Sequence, residues 1–262
     1  MSERTLAPFE RRLLTVVANE SLGAYRVLKA ADPGPAPDAG QFAMLASAKR
    51  WGAGEDERPY LPRAFSYARF ANGEAHFLLE DVGPGTRRLC ELSPGEGLWL
   101  LGPLGAGFQP PRDGRRALLV GGGVGVAPLA ILQDGLDDAT VLLGFRDAQH
   151  AEGAALLSGA LVATDDGSVG HHGLVTDLLS GELDGDAHAS VYACGPPAML
   201  EAVRATCAER AVPAQLALES GMACGFGACF GCVVATRDGY ARVCVDGPVV
   251  AAERLERVGE RA

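Results

Sequence analysis

The sequence predicts a multidomain protein of the β and α/β classes, with an antiparallel β-barrel, a parallel-sheet domain and a small cysteine-rich domain. Three observations indicate this architecture. Short apolar runs between Gly and Pro turns fill the first part of the chain, strand and helix patterns alternate in the middle, and four cysteines lie close together in the last part. We place the domains at residues 1–112, 113–218 and 219–262.

The first domain has the pattern of a small antiparallel barrel. Its short apolar runs are separated by turn residues, as in other closed β structures. We expect a short helix after Gly85-Thr86, from Arg87 to Leu92, ending before Ser93-Pro94-Gly95. The predicted strands are Leu13–Val17, Tyr25–Lys29, Gln41–Leu45, Ala64–Arg69, Ala75–Glu80 and Leu98–Gly102.

The second domain alternates strand and helix patterns, which predicts a parallel sheet flanked by helices. Its first strand, Ala117–Val120, ends in a glycine-rich turn. Near its end, Pro196-Pro197 opens a helix in which Met199, Val203 and Cys207 recur every four residues, and we expect this stripe in the core. The other predicted strands are Thr140–Phe145, Ala160–Thr164, Val191–Cys194 and Gln215–Leu218.

The third domain carries the pattern Cys-x4-Cys-x2-Cys, and a fourth cysteine follows after eleven intervening residues. This spacing is typical of plant-type [2Fe–2S] ligation. Glycines between the cysteines give the loop backbone conformations that residues with a Cβ rarely adopt. A strand at Val233–Thr236, a turn at Asp238-Gly239 and a strand at Tyr240–Val245 would return the fourth cysteine to the other three. The four candidate ligands are Cys224, Cys229, Cys232 and Cys244.

Zinc and disulfides are the alternatives for these cysteines. A structural zinc site more usually has two Cys-x2-Cys pairs or adds histidines, and this segment has one such pair and no histidine. Disulfides are disfavoured because nothing marks the chain as secreted. The remaining cysteines, Cys90, Cys194 and Cys207, are scattered, and we expect them to be buried thiols.

Composition excludes several classes of protein. The formal net charge of −10, without a basic stripe, argues against a nucleic-acid partner. No apolar run approaches the length of a membrane span, and the N-terminal stretch has acidic residues and no apolar core, unlike a signal peptide. We therefore expect a cytoplasmic protein, where reduced thiols are available.

The glycine turn after the first strand of the second domain is a candidate nucleotide site. In Gly121–Gly125, backbone N–H groups and a helix N-terminus can face a pyrophosphate. The turn departs from the dinucleotide fingerprint, since Val126 stands where the third glycine belongs, and it could instead bring the strand close to its helix. Two other strand ends, at Thr164–Ser168 and Ala193–Pro196, face the same edge of the sheet, although turn chemistry also explains them.

A second candidate site lies in the barrel. Arg63-Ala64-Phe65-Ser66 begins a strand, and Gly83–Thr86 begins a helix. An arginine can pair with a diphosphate, a helix N-terminus can accept its second charge, and Phe65 could pack on a flat ring. A surface arginine, a helix cap and a core aromatic explain the same residues, so the residues alone leave a flavin site open.

Taken in chain order, these motifs resemble the ferredoxin-reductase-like superfamily, and the resemblance covers nearly the whole chain. Within it, the segment Glu219–Cys232 resembles the electron transfer subunits of NAD-dependent, class 1B dihydroorotate dehydrogenases. The motifs that carry the resemblance are Gly40-Gln41-Phe42, Arg63–Ser66, Gly85-Thr86, Gly102–Gly105, Gly121–Pro128, Cys194–Pro196 and the cysteine loop.

The resemblance implies FAD, a [2Fe–2S] cluster and NAD as cofactors. Ser66 would lie near the isoalloxazine and Arg63 near the diphosphate, while Phe65 replaces the tyrosine of the wider superfamily. The spacing between Cys232 and Cys244 is short for the family. The implied FAD contacts are Arg63, Ala64, Phe65 and Ser66, with Leu78, Leu79 and Glu80 on the adenosine side and Gly85 and Thr86 at the pyrophosphate. The implied nicotinamide-nucleotide contacts are Gly121, Gly122, Gly123, Gly125 and Cys194.

The family resemblance also implies a function. A separate FMN-containing catalytic subunit would oxidise dihydroorotate to orotate for pyrimidine synthesis, and electrons would pass through the cluster and FAD to NAD+, in a heterotetramer with two copies of each subunit. No acid–base set for dihydroorotate is evident in this chain, so we predict no catalytic residue here. Two alternatives remain open: an NAD(P)H-dependent reductase subunit of another complex, of hydrogenase, sulfide dehydrogenase or ferredoxin-NADP reductase type, and a non-enzymatic redox-sensing module.

Overall fold

The computed structural model describes residues 11–52, 59–111 and 114–258. Residues 1–10, which bear on the signal-peptide expectation, and the predicted boundary at 112/113 lie outside the described residues. None of the helices in the described ranges is long and apolar enough to cross a membrane.

A closed antiparallel barrel forms the first part of the molecule and confirms the predicted fold class there. Around the barrel the strands follow the order β1-β2-β5-β4-β3-β6. Alternate residues of the last strand point inward, and Leu98 and Leu100 are fully buried. Its strands are β1 (Arg12–Leu22), β2 (Tyr25–Ala31), β3 (Phe42–Ser47), β4 (Arg63–Ala71), β5 (Glu74–Glu80) and β6 (Gly97–Leu104).

The short barrel helix α1 spans Pro84–Cys90, so the predicted span from Arg87 to Leu92 is wrong at both ends. The helix begins at Pro84 because proline suits the first turn, where its missing N–H has no partner within the helix. The earlier start brings Gly85 and Thr86 inside the first turn instead of before it.

A seven-stranded sheet forms the second part, in the order β10-β9-β8-β7-β11-β12-β15. All its strand pairs are parallel except that of β15, which runs antiparallel to β12. The strands are β7 (Arg116–Gly122), β8 (Ala139–Phe145), β9 (Ala160–Thr164), β10 (His171–His172), β11 (Ala189–Cys194), β12 (Ala214–Ala217) and β15 (Val249–Ala251). The helices between them are α2 (Ala127–Gln133), α3 (Ala148–Ala151), α4 (Val175–Gly185) and α5 (Pro197–Glu209).

The C-terminal hairpin pairs β13 (Val233–Thr236) with β14 (Gly239–Arg242). The prediction that the second strand continues to Val245 is wrong, because a helical turn, α6 (Val243–Asp246), begins there. The Arg242 backbone N–H donates to Asp246 Oδ2 at 2.9 Å and holds this turn. The turn leads into β15, so the C-terminal segment also completes the sheet, and the domain boundary at 218/219 stays a prediction.

One apolar core joins the barrel, the sheet and the C-terminal segment. It contains Phe42, Met44 and Leu104 from the barrel together with Cys232 and Cys244 from the C-terminal segment. The cysteine segment is therefore packed against the barrel as well as bonded to the sheet.

Candidate functional site

The four cysteines of the C-terminal loop form two neighbouring pairs. Cys232 and Cys244 are buried, and their sulfurs are 3.2 Å apart. The Cys244 backbone N–H donates to Cys232 Sγ at 3.4 Å. Cys224 and Cys229 make the second pair, through a hydrogen bond between their side chains, and Cys229 is exposed.

Cys224 and Cys244 differ in how easily they ionise. Burial opposes ionisation of Cys224, but hydrogen bonds from the backbone N–H groups of Phe226 and Cys229 outweigh it and lower the pKa of Cys224 to about 7. Burial, and then the adjacent Cys232 thiol, raise the pKa of Cys244 to about 12. Metal binding at Cys244 would therefore displace the proton from its sulfur.

This donor arrangement fits a cluster with two irons. In the part of the chain that the structure describes, no three His, Cys, Asp or Glu side chains converge on a single metal ion. A tetrahedral zinc site needs four ligands around one point. A [2Fe–2S] cluster takes four cysteines over two irons, and two thiol pairs match that requirement.

The loop around the first cysteine depends on glycine at two positions. Gly225 and Gly227 have φ of +80° and +87°, a region that residues with a Cβ rarely adopt. A Cβ on Gly225 would also lie 2.4 Å from Met44 Cγ in β3. Gly231, the third glycine of the loop, has neither a positive φ nor a close neighbour, so the loop geometry does not require it.

A cavity of about 230 Å³ lies between the barrel and the sheet, beside the cysteine loop. It brings residues predicted to contact FAD together with residues predicted to contact a nicotinamide nucleotide. Burial, with a smaller contribution from the Glu219 charge, raises the pKa of Cys194 well above its usual value. The predicted residues in its lining are Ala64, Phe65, Ser66, Leu78, Gly125 and Cys194.

A second cavity, of about 550 Å³, follows the carboxyl edge of the sheet. Gly123 after β7, Asp165 after β9 and Pro196 after β11 all line it, so the three strand ends that the sequence analysis singled out do meet. Predicted residues Gly122 and Glu80 also line this cavity. Glu80, predicted for the adenosine side of FAD, accepts a hydrogen bond from Arg146 at 2.6 Å.

At three predicted residues, packing within the protein fills the space around the side chain or the Cβ position. Leu79 is fully buried in the barrel core. A Cβ on Gly121 would lie 2.9 Å from Leu143 Cδ2, and one on Gly125 would lie 2.4 Å from the Cys194 carbonyl oxygen. These glycines let strand, turn and helix approach one another, which is the alternative explanation given for the glycine turn.

Arg63 lies beside the first turn of α1. A Cβ on Gly85 would lie 2.5 Å from Arg63 Nε, so the guanidinium covers this glycine. Arg63 Nη1 donates to the Leu61 carbonyl at 2.7 Å. Thr86 Oγ1 donates to the Gly83 carbonyl at 3.0 Å and accepts from the Val82 N–H at 2.9 Å. The arrangement places a positive side chain next to a helix N-terminus, which suits an anionic group.

The sequence analysis missed several lining residues. Glu219 and Val124 line both cavities, and Met222 lines the smaller one two residues before Cys224. The position of Glu219 just after β12, at the carboxyl edge of the sheet, was the available signal. A third cavity, of about 970 Å³, has none of the predicted site residues in its lining, so volume alone does not identify the site.

Comparison with known proteins identifies the family. Residues 219–256 match the family described as the iron-sulfur cluster binding domain of dihydroorotate dehydrogenase B. A protein of Caldanaerobacter subterraneus subsp. tengcongensis, named dihydroorotate dehydrogenase B (NAD(+)), electron transfer subunit, is 37% identical over 232 residues, covering 85% of this chain and 88% of its own. This chain belongs to that family of electron transfer subunits.

Other relatives agree with this family. A Bacillus pumilus protein of the same name is 34% identical over 264 residues, covering 94% of this chain and 98% of its own. Among solved structures, an NADH-dependent reduced ferredoxin-NADP oxidoreductase has a TM-score of 0.79 and 25% identity over 98% of this chain and 92% of its own. The ferredoxin reductase of carbazole 1,9a-dioxygenase, with a TM-score of 0.67 and 23% identity over 78% of this chain and 66% of its own, shares the fold. The family resemblance and the ferredoxin-reductase-like fold are thus confirmed.

Proposed function

We propose that this chain is the electron transfer subunit of an NAD-dependent dihydroorotate dehydrogenase. The observation that carries the proposal is the adjacency of three sites along one edge of the molecule. Val124 and Glu219 separate the two cavities, and Met222 connects the smaller cavity to the cysteine loop. A nicotinamide dinucleotide in the larger cavity, FAD at the smaller one and a cluster on the cysteines would then lie in that order.

The barrel residues would bind FAD. Arg63 and the first turn of α1 offer positive charge to the diphosphate, and Phe65 and Ser66 line the smaller cavity where the flavin ring would lie. Bound FAD exchanges electrons either in pairs or singly, which links a hydride carrier to a one-electron centre. The apolar lining from Phe42, Leu78 and Met222 would exclude water from this position.

Cys224, Cys229, Cys232 and Cys244 would hold the [2Fe–2S] cluster. Backbone N–H groups already donate to Cys229 Sγ and Cys232 Sγ, at 3.5 and 3.4 Å. Exposed Phe226 and Phe230 flank the exposed thiol of Cys229, so this side of the loop is accessible to another protein.

We infer a separate catalytic subunit that contains FMN and oxidises dihydroorotate to orotate in pyrimidine synthesis, assembled with this chain as a heterotetramer with two copies of each. The relatives are named as electron transfer subunits, which supports such a partner. We place the complex in the cytoplasm, where cysteine thiols stay reduced, because all seven cysteines of this chain are free.

Anaerobic reconstitution tests the proposal. Purified protein should contain about one FAD and two irons per chain, and NADH should bleach the flavin. Adding an FMN-type dihydroorotate dehydrogenase subunit from the same genome should give dihydroorotate-dependent reduction of NAD+. Flavin-free protein with tightly bound zinc would contradict the proposal, as would an inactive mixture of two fully loaded subunits.

A second candidate is a reductase subunit of another complex. The solved NADH-dependent reduced ferredoxin-NADP oxidoreductase, which aligns over 98% of this chain, favours it. Co-purification from the native host separates the two candidates, because a ferredoxin-dependent partner supports the second and an FMN protein that oxidises dihydroorotate supports the first.

A further inference from the structure

A tyrosine of the barrel lines the larger cavity, and its hydroxyl makes no hydrogen bond within the described chain that would stabilise the fold. Tyr25 in β2 is 1% exposed and lines this cavity, and its hydroxyl has no hydrogen-bond partner among the described residues. The ring is held in place by His150, edge to face at 5.5 Å, and by Gly153, where a Cβ would lie 2.9 Å from the ring. A buried hydroxyl without a partner destabilises the folded state, so the fold gains nothing from it.

The hydroxyl lies next to the glycine turn. Gly123 has φ of +54°, and apart from the turn's own neighbouring residues the Tyr25 hydroxyl is the described atom nearest the position its Cβ would take, at 4.0 Å. The space beside Gly123 is therefore open on the cavity side and ends at the hydroxyl. Burial, and then the Glu80 charge, raise the pKa of Tyr25, so the hydroxyl keeps its proton and can donate it in a hydrogen bond.

We propose that Tyr25 is a binding residue for the nicotinamide dinucleotide, whose pyrophosphate accepts a hydrogen bond from the tyrosine hydroxyl at the glycine turn. This inference rests on the proposed function. Oxygens of a pyrophosphate are expected at such a turn after the first strand of a parallel sheet, and a bond to an anionic oxygen is stronger than a neutral one.

The charges around the cavity make a neutral donor useful. The cavity lining contains three acidic residues, Glu80, Asp165 and Glu219. Its arginine, Arg146, is already paired with Glu80 at 2.6 Å. His150 Nε2 also faces Glu80, at 3.4 Å. Because the cation is neutralised by its neighbour, neutral donors of the lining would bind the pyrophosphate: backbone N–H groups, the Thr176 hydroxyl and the Tyr25 hydroxyl beside the glycine turn.

Tyr192 provides a matched control. It is fully buried in β11, its hydroxyl likewise lacks a partner among the described residues, and it packs edge to face on Phe108 at 5.7 Å. It lines neither of the two cavities. Removing either hydroxyl should therefore have the same effect on the fold and different effects on ligand binding.

The experiment compares Tyr25→Phe and Tyr192→Phe in flavin- and cluster-loaded protein, with equilibrium titration of NADH and ADP-ribose and thermal unfolding of the nucleotide-free protein. Both variants should raise the Tm. Tyr25→Phe should weaken both ligands about tenfold, the equivalent of about 1.4 kcal/mol, and Tyr192→Phe should leave both affinities unchanged.

Unchanged affinities in Tyr25→Phe would overturn the inference, and so would a lower Tm for this variant, since the hydroxyl would then have a partner in the fold. Weaker binding of NADH alone would also overturn it, because ADP-ribose carries the same pyrophosphate. If the wild-type protein bound neither ligand, the proposed function would fail first.

Discussion

Among single residues, Cys244 is the candidate cluster ligand that most needs a test, because it lies apart from the other three in the chain and its thiol holds its proton strongly. We predict that Cys244→Ala loses most of the iron after anaerobic reconstitution and keeps its FAD. Cys207→Ala is the control, since Cys207 is an equally buried thiol in α5, outside the loop. Iron analysis and visible absorption measure the result, and full iron content in Cys244→Ala would remove this residue from the ligand set.

Arg63 carries the second prediction at this scale. If its guanidinium pairs with the FAD diphosphate, Arg63→Ala should weaken FAD binding about 10- to 100-fold, as expected for the loss of a hydrogen bond between charged groups. Arg87→Ala is the control, because Arg87 in α1, the helix beside Arg63, pairs with exposed Asp81 at 3.2 Å. Fluorescence titration of apoprotein with FAD measures the affinity, and equal affinities in the two variants would contradict the assignment.

Among the elements, the contact between the cysteine loop and strand β3 is the most constrained. Gly225→Ala should strain the backbone by about 1–2 kcal/mol and force the new Cβ against Met44, which lies 2.4 Å away. We predict that the cluster of this variant is lost to a chelator several-fold faster than that of the wild type. Gly221→Ala should behave like the wild type, since Gly221 has no positive φ and no close neighbour. The decay of cluster absorbance measures both rates, and equal rates would mean that the loop can move away from the barrel.

Local patterns predicted most elements because each was encoded within a few residues. The barrel strands follow from alternating burial, and β9 and β13 have the predicted bounds. The last hairpin strand was predicted too long, since the bond from Arg242 to the Asp246 side chain, which starts the turn, competes with continued pairing. Strand β15 was not predicted because its three residues pair with β12, far away in the chain.

At the scale of the whole molecule, site residues that lie close together in the sequence could be predicted, and residues that only the fold brings together were missed. The cysteine spacing indicated the thiol pairs directly. Tyr25 and Arg146 come from distant parts of the chain and meet only at the larger cavity, so no local pattern could mark them. Neighbouring Leu78 and Leu79 point to opposite faces of β5, which explains why one lines the smaller cavity and the other packs in the barrel.

Removal of the cluster tests how the three parts depend on one another. A small metal-binding segment with little apolar area of its own is expected to lose its order without the metal. In the structure, Val243 and Cys244 lie in the common core and β15 completes the sheet. We therefore predict that chelation releases the loop at 219–231, while the rest of the segment stays folded. Hydrogen exchange should rise several-fold in that loop and remain low in β12 and β15.

The same cluster-free protein separates the two proposed electron-transfer steps, between NADH and FAD and between this chain and the catalytic subunit. FAD and the nicotinamide dinucleotide would bind between the barrel and the sheet, so NADH should still bleach the flavin at close to the wild-type rate. Electron exchange with the catalytic subunit should fall to background, because the cysteine loop is the proposed exit. Rapid-mixing absorbance of the flavin and dihydroorotate-dependent reduction of NAD+ measure the two steps. Loss of both steps together would show that the cysteine loop also shapes the flavin site, through Met222 in the cavity lining and through the close approach of Gly225 to Met44.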